Sequence, residues 1–307
     1  KHENTLDYNR TSVEIEFVYE KFNSTEDKIN IVLLESLLRR KLKKINSRLS
    51  FFGHNIKVTI NHYGLKLTFM SFNTNAPQIT KHIVDKISSV YKNKEFSGIY
   101  QEVKDLLTKE YNAQPYVIAY EYMKNAILKD FVTSEDYLED LSTLTEAEFD
   151  AFMENFKNNY YLKIYISGDL SKKHADEIFE IMNPLMLLHH PEKIKNIVFD
   201  IGKKRKNRRK PIQLQDGNYL IRKIYHQDEN KNNALLKCYK VGKADYKNEI
   251  MINLFHNIIG NIVFRELRTN RQFGYVAKSK IESIDTFYVI IVNIVLLPSC
   301  SRLIQAS

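Results

Sequence analysis

Residues 13–20 read Val13-Glu14-Ile15-Glu16-Phe17-Val18-Tyr19-Glu20. Val13, Ile15, Phe17 and Tyr19 alternate with mostly acidic neighbours, the period of two that a half-buried strand requires. Ser24 with Asp27 then offers a capping-box start. Ile29, Val32, Leu33, Leu37 and Leu38 follow at helical spacing, and the pattern ends in the basic cluster Arg39-Arg40-Lys41 and Lys43-Lys44, where cations suit the negative end of a helix dipole. Ile56, Val58 and Ile60, a turn at Asn61 to Gly64, and Leu65, Leu67 and Phe69 read as a hairpin. Strand, helix, hairpin is the unit from which the rest of the chain is read.

Downstream, Ile79, Ile83, Ile87 and Val90 mark one helix, and Ile99, Val103, Leu106 and Leu107 a second. Tyr116 to Leu128 is a third. Thr145 with Glu148 caps a fourth that carries Phe149, Phe152 and Phe156. Leu162, Ile164 and Ile166 form a strand that breaks at Gly168-Asp169 into a helix with Ile178, Phe179 and Met182. The order then begins again. Tyr219 to Tyr225 reads as an entry strand, and Leu235 to Val241 as a strand. Ile250, Leu254, Ile258, Ile262 and Leu267 follow as a helix, then Tyr275 to Lys280 and Phe287 to Ile294 as a hairpin. An internal repeat of this length implies two domains of one fold. The expected class is α+β: two homologous sandwiches of mostly antiparallel sheet covered by helices, the second truncated. The expected boundaries are 1–200, a basic linker at 201–213, and an incomplete second domain at 214–307. Either the chain is a fragment, or the second domain borrows its missing cover from a partner, in which case its exposed sheet face is an association or aggregation site.

The 307 residues are 43% hydrophobic and 12% aromatic, ordinary for a globular chain rather than a disordered one. No apolar run approaches the ~20 residues of a membrane-spanning helix. The polar opening Lys1-His2-Glu3-Asn4 shows no signal-peptide pattern, which leaves open a start downstream of one. Cys238 and Cys300 are the only cysteines; they exclude a disulfide framework and a cysteine-built zinc site and point to the cytoplasm. The Asn-x-Thr triplets at Asn9 to Thr11 and Asn23 to Thr25 keep a secreted origin open. The net charge of +9 is concentrated in Lys203 to Lys206 and Arg208 to Lys210. No aromatic residue interrupts that block to stack on bases, so a solvated linker is preferred to a nucleic-acid patch.

The segment Phe264-Arg265-Glu266-Leu267-Arg268-Thr269-Asn270-Arg271-Gln272-Phe273-Gly274-Tyr275 resembles a signature in the C-terminal half of the insulin-degrading-enzyme and pitrilysin-type (insulinase) zinc metallopeptidases. There an Arg ends a helix, and a Tyr seven residues later opens the next strand after an apolar-Gly pair. Leu267-Arg268-Thr269, Gln272 and Gly274-Tyr275 match; Phe273 stands where Leu is commoner. Asn232-Asn233 ahead of a strand, the Gly168-Asp169-Leu170 strand exit and the two-copy plan also fit, so the resemblance covers nearly the whole chain.

Read from the residues alone, Arg268 is a helix-end cation and Tyr275 a sheet residue. The resemblance implies instead that both bind substrate at the scissile bond, with Phe264, one helical turn before Arg268, lining a side-chain pocket. It also implies zinc held by His-x-x-Glu-His on a helix and a distant Glu. None of the nine His completes that pattern: His174-Ala175-Asp176-Glu177 is followed by Ile178, and His189-His190 precedes Pro191. No Gly-x-Ser-x-Gly elbow or phosphate-binding Gly-rich loop is present. The expectation is a non-catalytic C-terminal half. It holds no cofactor, forms one wall of a peptide chamber, and depends on an N-terminal catalytic half for zinc, with short peptides as substrates. The alternative is an inactive scaffold or assembly subunit of the same fold. The tail from Leu296 departs from the family, which would place helices there.

Overall fold

The computed structural model describes residues 9–19, 25–61, 64–91, 95–187, 212, 217–224, 232–284 and 287–296. The Ser24 cap, His189-His190, Cys300 and nearly all of the basic linker lie outside these residues. The chain divides into two compact units. One comprises Lys1–Leu106 with Leu138–Lys204, the other Leu107–Tyr137 with Arg205–Ser307.

In the first unit, β1 (Arg10–Tyr19), α1 (Thr25–Ser50) and the hairpin β2 (Asn55–Asn61) and β3 (Gly64–Phe72) follow the expected order. They are joined by α2 (Ala76–Val90), the start of α3 (Phe96–Tyr111), most of α5 (Ser134–Thr143), α6 (Glu146–Asn159), β4 (Tyr160–Gly168) and α7 (Lys172–Leu187). The sheet runs β2-β3-β1-β4, every neighbour antiparallel. Val13, Ile15, Phe17 and Tyr19 from β1 are buried, as are Leu65, Leu67 and Phe69 from β3. Tyr19 meets Phe152 and Phe156 of α6 at ring separations of 5.9 and 5.3 Å, within the range where edge-to-face and offset pairs gain energy beyond their burial. The opposite face carries Glu14 and Lys66, ion-paired at 2.5 Å, and the exposed Met70 and Phe72.

Two local expectations are refined here. The basic cluster Arg39 to Lys44 does not end α1, which continues to Ser50 because Leu42 still buries its side chain. Its charges are balanced sideways instead, Arg39 by Glu35 at 2.7 Å and Lys41 by Glu95 at 2.7 Å. The Thr145 cap forms as read: its hydroxyl accepts from Glu148 N while Glu148 accepts from Thr145 N. β4 ends at Gly168 with φ +125°, where a Cβ would lie 2.2 Å from the Arg10 carbonyl oxygen. Only glycine fits that close approach.

In the second unit, β5 (Asn233–Lys243), α8 (Tyr246–Phe264) and the hairpin β6 (Val276–Ile284) and β7 (Phe287–Leu296) repeat the plan of β1, α1, β2 and β3. The sheet order is β5-β7-β6, again antiparallel. A second helix, α4 (Pro115–Ile127), belongs to this unit. Met123 and Ile127 of α4 pack with Ile284, Val289 and Ile291, against Leu236 and Cys238. Ile252 of α8 packs with Tyr288 and Ile290 on the alternate positions. The sheet therefore has a helix packed on each face, while Leu235 and Tyr239 on the α8 side remain exposed. α4 supplies the cover from a segment well upstream in sequence. His256 Nε2 and Ser279 Oγ, 3.0 Å apart, tie α8 to β6.

The entry strand read at Tyr219 to Tyr225 is also corrected: residues 217–224 form no regular element. Tyr219, Leu220 and Ile221 are consecutive and exposed, so they offer no period-two face. The segment is held by a side chain instead. Lys223 Nζ lies 2.6 Å from Glu135, which also accepts from the Tyr122 hydroxyl. Those contacts raise the Lys223 pKa and lower that of Glu135.

Candidate substrate-binding site

The segment that carried the resemblance lies at the end of α8. After Phe264 the helix widens into a π-turn over Arg265–Asn270. Arg271 N donates to Glu266 O at 3.0 Å and closes that turn, and Phe273 N donates to Leu267 O at 3.1 Å. Single π-turns inside helices recur at functional sites because the extra residue re-aims a side chain. Glu266 clamps the turn, accepting from Asn270 Nδ2 at 2.9 Å and Arg271 Nε at 2.7 Å. These bonds, Arg271 first, hold its carboxyl below the usual range. Gln272 then takes the left-handed conformation at φ +51°, uncommon for a residue with a side chain.

Arg268 makes a different contact. Its guanidinium carbon lies 5.3 Å from the centre of the Phe264 ring, the geometry of a cation–π contact. It is exposed, and among the described residues no carboxylate is paired with it. Glu266 has sorted the arginines: Arg271 is bound, Arg268 presented. Phe264, one helical turn before Arg268, lies beneath the guanidinium.

Tyr275 stands just ahead of β6, so the strand begins one residue later than read. It is 45% exposed. Its hydroxyl lies 3.4 Å from Gln114 Oε1 and 3.5 Å from Asn232 Nδ2, contacts at the long limit of hydrogen bonding. Gln114 is the residue before Pro115 at the start of α4. Gly274 is required by the packing: a Cβ there would sit 1.6 Å from Val295 O. Sequence reasoning did not find the roles of Glu266 and Gln114. The i to i+5 spacing of Glu266 and Arg271 was visible, but it signals a pair only in a π-turn, and no local pattern joins Gln114 to a residue 161 positions away.

Among the described residues no three His, Cys, Asp or Glu side chains converge to hold a metal. No step at zinc is derived from these residues. Cys238 is half-buried, and burial first, with Glu282 second, pushes its thiol up to about 11, unsuited to a ligand or nucleophile. In the first unit, the void beside Phe17, Leu34, Leu65, Ile87 and Phe156 measures about 10 Å³, room for about one water and no ligand.

A family profile described as the middle or third domain of peptidase M16 matches residues 1–140. The profile for the peptidase M16 inactive domain matches residues 143–306, more than half of the chain. The chain belongs to the M16 peptidase family. Its domains are of the family's non-catalytic type. This M16 chain is 24% identical over 227 residues to the peroxisomal insulin-degrading enzyme-like 1 of Arabidopsis thaliana, covering 71% of the chain and 22% of the relative. It is 23% identical over 235 residues to the insulin-degrading enzyme of Homo sapiens, covering 76% and 22%. It thus spans about a fifth of the length of these relatives. Among solved structures, pitrilysin superposes with a TM-score of 0.68 at 12% identity, over 93% of this chain and 29% of that one. A protease from Helicobacter pylori gives 0.66 at 17% identity, over 97% and 72%. These likenesses support the α+β architecture of paired sheets and helices. No helix among the described residues is long and apolar enough to cross a membrane.

Proposed function

We propose that this M16 chain is the non-catalytic partner half of an insulinase-type zinc metalloendopeptidase, presenting Arg268 and Tyr275 to a peptide substrate at its scissile bond. The observation that carries this reading is the pairing state of the arginines. A cation stacked on Phe264 and free of carboxylate partners among the described residues is ready for an oxygen on another molecule. Peptide hydrolysis develops negative charge on the former carbonyl oxygen, and positioned donors aimed at it lower the barrier. Arg268 offers a planar fork of N–H donors and Tyr275 a phenolic O–H. Zinc and the general base come from an N-terminal half, and this chain forms one wall of the chamber around short peptides. The same reading places the protein in the cytoplasm, since two cysteines provide no disulfide framework.

The test mixes the full chain with an N-terminal half carrying His-x-x-Glu-His and follows cleavage of a fluorogenic peptide. Arg268→Ala should lower kcat/KM by about 100-fold or more, in the range seen for loss of a positioned oxyanion donor. Tyr275→Phe should lower it by about ten-fold. Cleavage that survives both substitutions unchanged removes the two residues from the site. A mixture that assembles but never cleaves supports the scaffold alternative.

A further inference from the structure

Three segments that are distant in sequence meet at the hydroxyl of Tyr275, all within the second unit. Gln114 Oε1 lies 3.4 Å from it and Asn232 Nδ2 3.5 Å. The end of β7 positions all three. Tyr275 is set by Gly274, which has no room for a Cβ beside Val295 O, and by Val276, which pairs with Val295. Asn232 is set by Asn233, which pairs with Leu296. Gln114 is set through α4. Asn293 Nδ2 donates to Tyr116 O at 3.3 Å in the first turn of that helix, and Pro115 confines Gln114 to an extended backbone with ψ 143°.

Asn293 is the exception in its strand. β7 otherwise consists of Phe, Tyr, Val, Ile and Leu, and the flanking residues on the same face, Ile291 and Val295, are buried. Asn293 Oδ1 is itself buried, with no hydrogen-bond partner among the described residues. A buried polar atom left unpaired lowers stability, and such a group in a folded chain calls for a reason. The bond this amide does make holds the start of α4, and with it Gln114, next to the phenol.

Hydrogen-bonding capacity gives the two contacts different work. A phenol has one proton to donate and an oxygen that accepts. Gln114 presents Oε1, which only accepts, so it engages the O–H of Tyr275. Asn232 presents Nδ2, which donates to the phenol oxygen. A hydroxyl that accepts a hydrogen bond donates a stronger one, because the linked dipoles polarise one another. At 3.4 and 3.5 Å both contacts are weak and easily redirected, and such contacts often tighten once substrate is bound.

We propose that Asn232 is a positioning residue for Tyr275, donating to the phenol oxygen and strengthening its O–H, while Gln114 accepts that O–H until a substrate oxygen replaces it. This rests on the substrate role proposed for Tyr275. No proton leaves the phenol: its hydrogen bond passes from the Gln114 carbonyl to the substrate oxygen, and the Asn232 bond persists as negative charge grows there.

The full chain is mixed with an N-terminal half carrying His-x-x-Glu-His, and kcat and KM are measured on a fluorogenic peptide, with folding of each variant checked by circular dichroism. Asn232→Ala should lower kcat about five-fold and leave KM within about two-fold, because the bond gains strength only as charge develops. Asn232→Asp, of the same size, should lose at least as much, since its carboxylate has no N–H to give and captures the phenol O–H instead. A residue that only fills space would tolerate that change. Gln114→Glu should lower kcat/KM about five-fold, because a carboxylate competes harder with substrate for the same O–H. In a Tyr275→Phe background each substitution should add less than about two-fold. Independently of cleavage, the 13Cζ resonance of Tyr275, identified by its loss in Tyr275→Phe, should move in Asn232→Ala; an unmoved resonance overturns the inference. If Tyr275→Phe impairs cleavage and Asn232→Asp does not, this inference alone falls. If Tyr275→Phe cleaves as the parent does, the substrate role falls and takes this inference with it.

Discussion

At the scale of single residues, the site depends on which side chains are held and which are left free. Glu266 binds Arg271 and Asn270, and the π-turn it clamps sets Arg268 on Phe264. Gly274 holds the turn against β7, where there is no room for a methyl group. Gly274→Ala should therefore force the backbone away from Val295 and cost roughly 1–3 kcal/mol, the usual penalty of overpacking. Urea denaturation checks this; a change within about 0.5 kcal/mol would show that the turn yields freely. The motif was legible in the sequence because Leu267-Arg268-Thr269 and Gly274-Tyr275 are contiguous. The sorting of the arginines was not, since Arg265, Arg268 and Arg271 look alike until the helix geometry assigns each a direction.

At the scale of elements, the aromatic stripe of α6 and the strand it faces stabilise one another. Phe156 is buried among Tyr19, Phe152 and Tyr160. Phe156→Ala should destabilise the first unit by about 3–5 kcal/mol, detected as faster exchange in β1 and β4; a loss below about 1 kcal/mol would mean that neighbouring rings refill the space. In the second unit, the segment around Lys223 depends on a charge pair. The Glu135 carboxyl is depressed from its ordinary value of 4.5 by hydrogen bonds from Lys223 and then Tyr122. Its contribution is present above that ordinary value and is lost as pH falls through the lower folded one. Lys223 is raised from 10.5 by Glu135 and then Tyr122, so its contribution is complete below 10.5 and lost only in stronger alkali. Proteolysis near residues 217–224 should accelerate on acidification below about pH 4.5. Glu135→Gln should be cleaved readily at neutral pH; equal resistance of parent and variant would exclude the pair as the anchor.

At the scale of the whole molecule, the two units are not two consecutive stretches of chain. Residues 107–137 leave the first unit and join the second, bringing α4 onto the face of β5 and β7 that lies opposite α8. A fragment of residues 141–307 keeps all three strands and α8 but lacks α4, exposing Leu236, Val289 and Ile291. It should bind a hydrophobic dye and aggregate, while a fragment of residues 107–307 should remain soluble with a cooperative melting transition. Equal behaviour of the two fragments in a melting and light-scattering comparison would show that α4 is dispensable. This dependence follows from the burial of apolar side chains, which is worth about 25 cal/mol per Å² removed from water wherever in the sequence the covering helix originates.

The order of residues along the chain was enough to define most of the described elements of this protein and their repetition, though not α5 or the π-turn. Alternation marked the strands, three-to-four spacing marked the helices, and Thr145 with Glu148 marked a cap, because each pattern reflects the local geometry of a strand or a helix. What covers each face was settled only by packing in three dimensions. α4 lies far from β5 in sequence yet packs on its sheet, and Leu254, Phe255 and Ile258 read like the buried residues of α1 yet face solvent. Periodicity states that a helix has an apolar face; only the path of the chain in space determines what lies against it.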